Sequence, residues 1–199
     1  MSTTLTVVLL VALAAGWAVT ARLALLWWRR LHTDPLTGLA NRDALARAFA
    51  RARRRGLAVG VLLLDLDHFK AINDIWGHAA GNLVLRHVAR QLAFHACSHR
   101  TALPVRLHGD EFAVQLTDLP PGAAGMRLAE QHAREVAVAI ATPVAFGVDQ
   151  LAVTGTVGAA VSPAGEARLG ALLRVADQRM YAGKARRHAD PSAVRGWVA

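Results

Sequence analysis

Residues 103–116 constrain this chain most, because they read as two strands that must pair with each other. Leu103, Val105 and Leu107 alternate with smaller or polar neighbours, and Phe112, Val114 and Leu116 repeat the pattern. Period-two alternation on both sides of a short polar centre predicts a β-hairpin. The centre is His108-Gly109-Asp110-Glu111, in which Gly109 supplies the backbone freedom of a tight turn. Adjacent carboxylates at such a tip repel each other unless a cation or a substrate uses them.

Upstream, residues 61–64 are continuously apolar and predict a strand buried on both faces. That strand runs straight into Asp65-Leu66-Asp67. Carboxylates at a buried strand end, with a second acidic pair on a hairpin, make a candidate divalent-metal site. Magnesium takes one or two carboxylates together with substrate phosphate oxygens. Two such ions activate an attacking oxygen and stabilise a leaving one in phosphoryl transfer. A helix beginning near Phe69 would aim its free N–H groups at phosphates.

The other elements follow from turn signals and periodicity. Residues 34–39 read as a turn, followed by a helix capped by Asn41 or Asp43. Leu45, Ala48 and Phe49 share one face of it, and Arg51, Arg53, Arg54 and Arg55 form a solvated end. Residues 83–97 and 126–140 predict helices, 151–161 a strand, and 169–184 a last helix. That order implies helices packed on a sheet, an α/β or α+β sandwich. His95 and His99 are read as surface histidines, a metal pair lacking a third ligand. Cys97 is the only cysteine, which excludes an internal disulfide and suits a reducing cytoplasm.

The hydrophobic fraction is 54%, and its excess sits at the N-terminus. Residues 5–28 carry a single charge, Arg22. As a helix they would span about 36 Å, against about 30 Å for a bilayer core. Trp27 and Trp28 suit an interfacial belt, and Arg29 and Arg30 follow at once. With no basic residue before the segment, the expected topology is single-pass, N-terminus outside, the rest cytoplasmic. The same lack of a basic start argues against a cleaved signal peptide. No sensory domain is expected between Arg30 and Asp34. The formal net charge is +9, but no recognition motif accompanies it, so nucleic acid is not an expected partner.

The runs DPLTGLANR (34–42), DLDHFKAINDIWGHAAGN (65–82), RLHGDEF (106–112) and ADQRMYAGK (176–184) resemble the GGDEF family of diguanylate cyclases, in that family's order and approximate spacing. The resemblance covers Asp34 to about His188. It implies a central, mainly antiparallel five-stranded sheet ringed by helices, similar to nucleotidyl cyclases and polymerase palms. The expected division is an anchor over 1–30, a GGDEF domain over 31–188 and a tail over 189–199. The chain's only lysines, Lys70 and Lys184, both fall inside these motifs.

The resemblance also implies roles. Asp65 and Asp110 would ligate Mg²⁺ (or Mn²⁺), two ions per active site, helped by the Leu66 carbonyl. Glu111 would sit beside the reacting 3′-hydroxyl as base or second metal ligand. The N–H groups of His68, Phe69 and Lys70 would hold phosphates, with Lys184 at the β/γ end. Asn73 and Asn82 would meet the guanine, and His78 and Gly109 would complete the substrate site. Two protomers, each holding one GTP, would form cyclic di-GMP and two pyrophosphates, so the active species would be a homodimer serving bacterial second-messenger signalling.

The chain departs from the family pattern at four places. His108 stands at the first glycine, where a positive φ would cost a side chain roughly 1–2 kcal/mol. Asn82 replaces an aspartate that accepts two guanine N–H bonds, and an unmade buried hydrogen bond costs about 1–3 kcal/mol. The KxxGR ending reads Lys184-Ala185-Arg186-Arg187-His188. His99 and Ala102 occupy the positions of the inhibitory RxxD motif, so no inhibitory site is expected. Asp65, Asp110 and Glu111 are all retained. The sequence therefore reads as a diguanylate cyclase, the alternative being a module that binds GTP or a protein partner without turnover.

Overall fold

The computed structural model describes residues 3–163, 165, 166 and 168–188, without the side chains of Arg187 and His188. The tail expected over 189–199, and the side chain of His188, lie outside the described residues.

The chain opens with α1 (Thr3–His32), a helix with a mean hydropathy of 2.1 over its most apolar window and none of that window buried. Its length and composition are enough to cross a bilayer. At its base His32 is buried, stacks on Trp28 and bonds through Nδ1 to the Trp28 carbonyl (2.6 Å). The turn that follows is tied back to α1 by Asn41, whose N–H donates to His32 O (3.0 Å) and whose Nδ2 donates to Leu31 O (2.8 Å). Asn41 is also the cap of α2 (Arg42–Arg54): its side chain accepts from Ala44 N at 3.0 Å. One residue thus joins the apolar helix to the domain without a linker.

The sheet contains β1 (Val59–Leu66), β2 (Ala102–His108), β3 (Glu111–Thr117) and β6 (Gly155–Ser162) in the order β2-β3-β1-β6. Every pairing is antiparallel. Period-two alternation sorts its side chains into two cores. Leu62, Leu64, Phe112, Val114 and Leu116 pack under α3 (Phe69–Ser98) and α4 (Ala123–Ile140). Val59, Val61, Leu63, Val105 and Ala113 pack under α2 and α5 (Leu169–His188). Burying each Leu or Val is worth about 1.5–3 kcal/mol, and β1, buried on both faces, collects this on Val59, Val61, Leu62, Leu63 and Leu64.

Two expectations change. Four strands, not five, form the sheet among the described residues; Ala40 adds a single parallel bridge to Val105 at the β2 edge. The strand expected over 151–161 divides. Leu151 ends β5 (Asp149–Leu151), which pairs with β4 (Val144–Phe146) in a separate hairpin. Pairing with β1 begins only at Gly155, opposite Leu66. Alternation survives across the break because Leu151 and Val153 are both buried, so the pattern alone hides it. The helices expected near Phe69 and over 83–97 follow one another within α3, separated at Gly77, whose φ 79° and ψ 166° are not helical.

Candidate active site

The site forms where β1 ends beside the hairpin tip. Register places Asp65 directly opposite Glu111, and Thr156 opposite Asp65 on the other side. Gly109 takes φ 49°, and the turn it makes carries Asp110. Burial pushes the Asp110 carboxyl up, and the nearby Asp65 charge pushes it further; its own backbone N–H, Lys184 and His108 oppose this. Lys184, from α5, forms an ion pair with Asp65 Oδ2. Asp65, Asp110, Glu111 and Lys184 are therefore one charge cluster drawn from β1, the hairpin and α5. Its oxygen donors suit a hard divalent cation, and Lys184 already supplies positive charge at Asp65.

The glycines of α5 and β6 set the position of Lys184. A Cβ on Gly158 would lie 2.0 Å from Ala176 O, and one on Gly183 would lie 3.2 Å from Thr156 Cγ2. Without side chains there, α5 lies directly on β6 and delivers Lys184 to the strand end.

Asp67 serves a different purpose from Asp65. It is buried and accepts from Thr154 Oγ1 (2.8 Å) and Thr156 Oγ1 (3.0 Å), while its N–H donates to Thr154 O (2.8 Å). It fastens the loop after β1 to the start of β6. His68 then turns the chain with φ 56°, and α3 begins at Phe69. This puts the N–H groups of His68, Phe69 and Lys70 at a helix start, where the backbone dipole favours anions. Lys70 is exposed, and Phe69 packs against the first core. Asn73, one turn on, fills the space left by Gly81, whose added Cβ would lie 2.0 Å from Asn73 Oδ1. His78 and Asn82 are exposed beyond the Gly77 bend. No hydrogen bond or ion pair among the described residues joins them to Asp65, Asp110 or Glu111.

The backbone strain expected at His108 does not arise. Among the described non-glycine residues only His68 and Asp118 have positive φ; His108 ends β2, just after a register irregularity, without one. Its side chain is exposed, with Nε2 3.2 Å from Glu111 Oε2. The substitution thus places an imidazole on Glu111 rather than distorting the turn.

Two positioning residues had no assigned role in the sequence. Arg106 donates through Nε (3.1 Å) and Nη2 (2.8 Å) to Gly109 O, and through Nη1 (3.0 Å) to Asp34 Oδ1. Asp34 also accepts from the Thr37 N–H (2.8 Å) and hydroxyl (2.6 Å). Burial raises the Asp34 pKa, but the Thr37 and Arg106 hydrogen bonds outweigh it and hold the carboxyl below its ordinary value. The two residues stand 72 positions apart, so only their shared membership of quoted motifs hinted at the contact.

His95 is buried, not on the surface as expected, and lies with His99 against His132 and Glu135 of α4. Burial and the neighbouring imidazoles lower the pKa of His95, and burial with His99 lowers that of His132.

A family model described as "Diguanylate cyclase, GGDEF domain" matches residues 31–189. A Streptomyces griseus protein described as an uncharacterized protein in the hutH 5′ region is 37% identical over 190 residues, covering 92% of this chain and 74% of its own length. Diguanylate cyclase TpbB of Pseudomonas aeruginosa is 36% identical over 158 residues. That match covers 77% of this chain but only 35% of TpbB. The crystal structure of the coiled coil and GGDEF domain of DgcB from Caulobacter crescentus, in complex with c-di-GMP, superposes with a TM-score of 0.74. It is 28% identical and covers 92% of this chain and 96% of its own.

Proposed function

The chain belongs to the GGDEF-domain family, and on that premise we propose that it is a diguanylate cyclase condensing two GTP into cyclic di-GMP and two pyrophosphates. In each half-reaction a 3′-oxygen bonds to the other nucleotide's α-phosphorus as the α–β phosphoanhydride bond breaks. Two bonds form and two break, and each 3′-hydroxyl gives up a proton.

The observation that carries this reading is the cross-strand pair Asp65 and Glu111, in one charge cluster with Asp110 and Lys184. Asp65, Asp110 and the Leu66 carbonyl hold Mg²⁺ (or Mn²⁺), with Glu111 as base or second ligand. When bound, the metal supplies charge neutralisation at the phosphates. Lys184 releases Asp65 and moves to the terminal phosphates, a short shift for a flexible four-carbon stem. The N–H groups of His68, Phe69 and Lys70 bind phosphate oxygens. Asn73, His78, Asn82 and Gly109 orient the nucleoside. Each half-site presents one nucleotide, so catalysis requires a homodimer.

We place residues 1–30 in the cell membrane as a single-pass anchor, with the N-terminus outside and the GGDEF domain, 31–188, in the cytoplasm. The unburied apolar surface of α1 supports this, and resistance of the membrane-bound protein to alkaline extraction tests it.

A second reading, a GTP-binding module without turnover, is favoured by the contact between His108 Nε2 and Glu111 Oε2. One experiment separates the two. The full chain in nanodiscs is incubated with GTP and Mg²⁺ and assayed for cyclic di-GMP by mass spectrometry, with Glu111→Ala as control. Product from the wild type alone is expected. GTP bound by a folded dimer that makes no product would establish the second reading instead.

A further inference from the structure

The cluster of His95, His99, His132 and Glu135 belongs to none of the chemistry above. It lies near the C-terminal end of α3, away from the phosphate-facing start of that helix. His95 sits in the last turn of α3, His99 caps it, and His132 and Glu135 are one turn apart on α4. One candidate ligand atom from each residue lies within 4.8 Å of all the others. Among the described residues no other group of three or more His, Cys, Asp or Glu side chains has this geometry.

We propose that these four residues form a binding site for one divalent transition-metal ion of the zinc class.

The distances carry the proposal. His95 Nε2 lies 3.1 Å from His132 Nδ1. Glu135 Oε2 lies 3.5 Å from His99 Nε2, 3.5 Å from His132 Nδ1 and 3.8 Å from His95 Nδ1. Four ligands around zinc at about 2.0–2.1 Å define a tetrahedron with edges of about 3.3 Å. With one donor atom per residue, the His95 Nε2–His132 Nδ1, His132 Nδ1–Glu135 Oε2 and His99 Nε2–Glu135 Oε2 separations of 3.1–3.5 Å are close to those edges, while the 3.8 Å contact uses the other ring nitrogen of His95. Those to Glu135 are long for hydrogen bonds.

A second observation is independent of the spacing. Glu135 Oε2 is buried and makes no hydrogen bond of ordinary length among the described residues, its neighbours being the three imidazoles at 3.5–3.8 Å. The other oxygen, Oε1, accepts from Gln131 Nε2 at 2.9 Å, which fixes the carboxylate with Oε2 aimed into the three rings. A buried carboxylate oxygen without a hydrogen bond is costly unless a cation meets it. The rings crowd the same space, with centroids 4.5–5.1 Å apart.

The donor set selects the ion. Three imidazoles and one carboxylate suit Zn²⁺, with Ni²⁺ and Cu²⁺ as competitors, and are poor ligands for Mg²⁺. Four protein ligands close the coordination shell, as in structural rather than catalytic zinc sites. The bound ion therefore staples the end of α3 to α4. It does so immediately before β2, since Ala102 N donates to His99 O at 2.8 Å.

The test uses the full chain in detergent, stripped of metal with a chelator and then dialysed. Zinc is titrated calorimetrically, and Co²⁺ is added to a second sample as a spectroscopic probe. The expected result is one Zn²⁺ per chain, a visible Co²⁺ spectrum of four-coordinate form, and a higher melting temperature with zinc. His99→Ala and Glu135→Gln alter partly exposed residues, and melting in chelator shows whether they fold. Each should weaken zinc binding more than about tenfold and abolish the Co²⁺ spectrum. Asp110→Asn, at the acidic cluster, should leave both unchanged. Lack of stoichiometric zinc binding, equal affinity in the two cluster variants, or loss of binding in Asp110→Asn would each overturn the proposal.

Discussion

Arg106 carries more of the site's geometry than its place between two apolar strand residues suggests. One guanidinium holds the Gly109 carbonyl from two nitrogens and Asp34 from a third. Arg106→Ala should lower stability by about 1–3 kcal/mol, because it leaves a half-buried carboxylate without its cation and a turn carbonyl without its donors. Arg106→Lys should recover little of this, since an ammonium does not reproduce the planar fork. Urea denaturation measures both, and an unchanged midpoint in Arg106→Ala would refute the role. Asp34 adds a pH dependence of known sign. Its folded pKa is depressed, so its contribution is present above the unfolded value of about 3.8 and is lost as pH falls below it. The carboxylates themselves were legible in the sequence, since acidic residues at a buried strand end are anomalous. Their positioners were not, because an arginine in a strand reads as an exposed edge until its partner is known.

At the scale of elements, the seating of α5 on β6 decides where Lys184 stands. Gly158→Ala would bring a Cβ to 2.0 Å from Ala176 O and 2.6 Å from Met180 N, both backbone atoms that cannot rotate aside. Overpacking of this kind costs about 1–3 kcal/mol and would lift the helix carrying Lys184. Gly170→Ala, on the same helix with nothing within 4 Å of its added Cβ, should be neutral or stabilising by at most about 1 kcal/mol. Thermal melting compares the pair; equal effects would mean that the close approach is unimportant. The strands β2 and β3 were legible from alternation, β1 from its continuous apolar run, and α2 from its cap and apolar stripe. Residues 69–82 were harder. Their exposed, polar positions give no apolar stripe, and Gly77 bends the helix within them.

The whole molecule adds a response to acid through His87, which is buried at the core. Burial lowers its pKa and the Arg90 charge lowers it further, opposed by the carbonyls of Ile140 and Thr142. The unfolded chain therefore takes up a proton first as pH falls through its ordinary value of about 6.5. Stability from this group is complete above that pH and declines below it. Urea midpoints measured from about pH 7.5 to about pH 5.5 should fall, and His87→Gln should flatten the slope. An equal slope in the variant would place the acid sensitivity elsewhere. By itself, the sequence determined the apolar N-terminal helix, the hairpin, the central strand and the acidic residues at their ends. These are written in local period and composition, which a linear chain displays directly. Tertiary structure alone decided that Asp67 binds threonines while Asp65 faces Glu111, that Lys184 reaches Asp65, and that His132 and Glu135 complete the histidine pair on α3. Those contacts join residues far apart in the chain, and packing chooses between them.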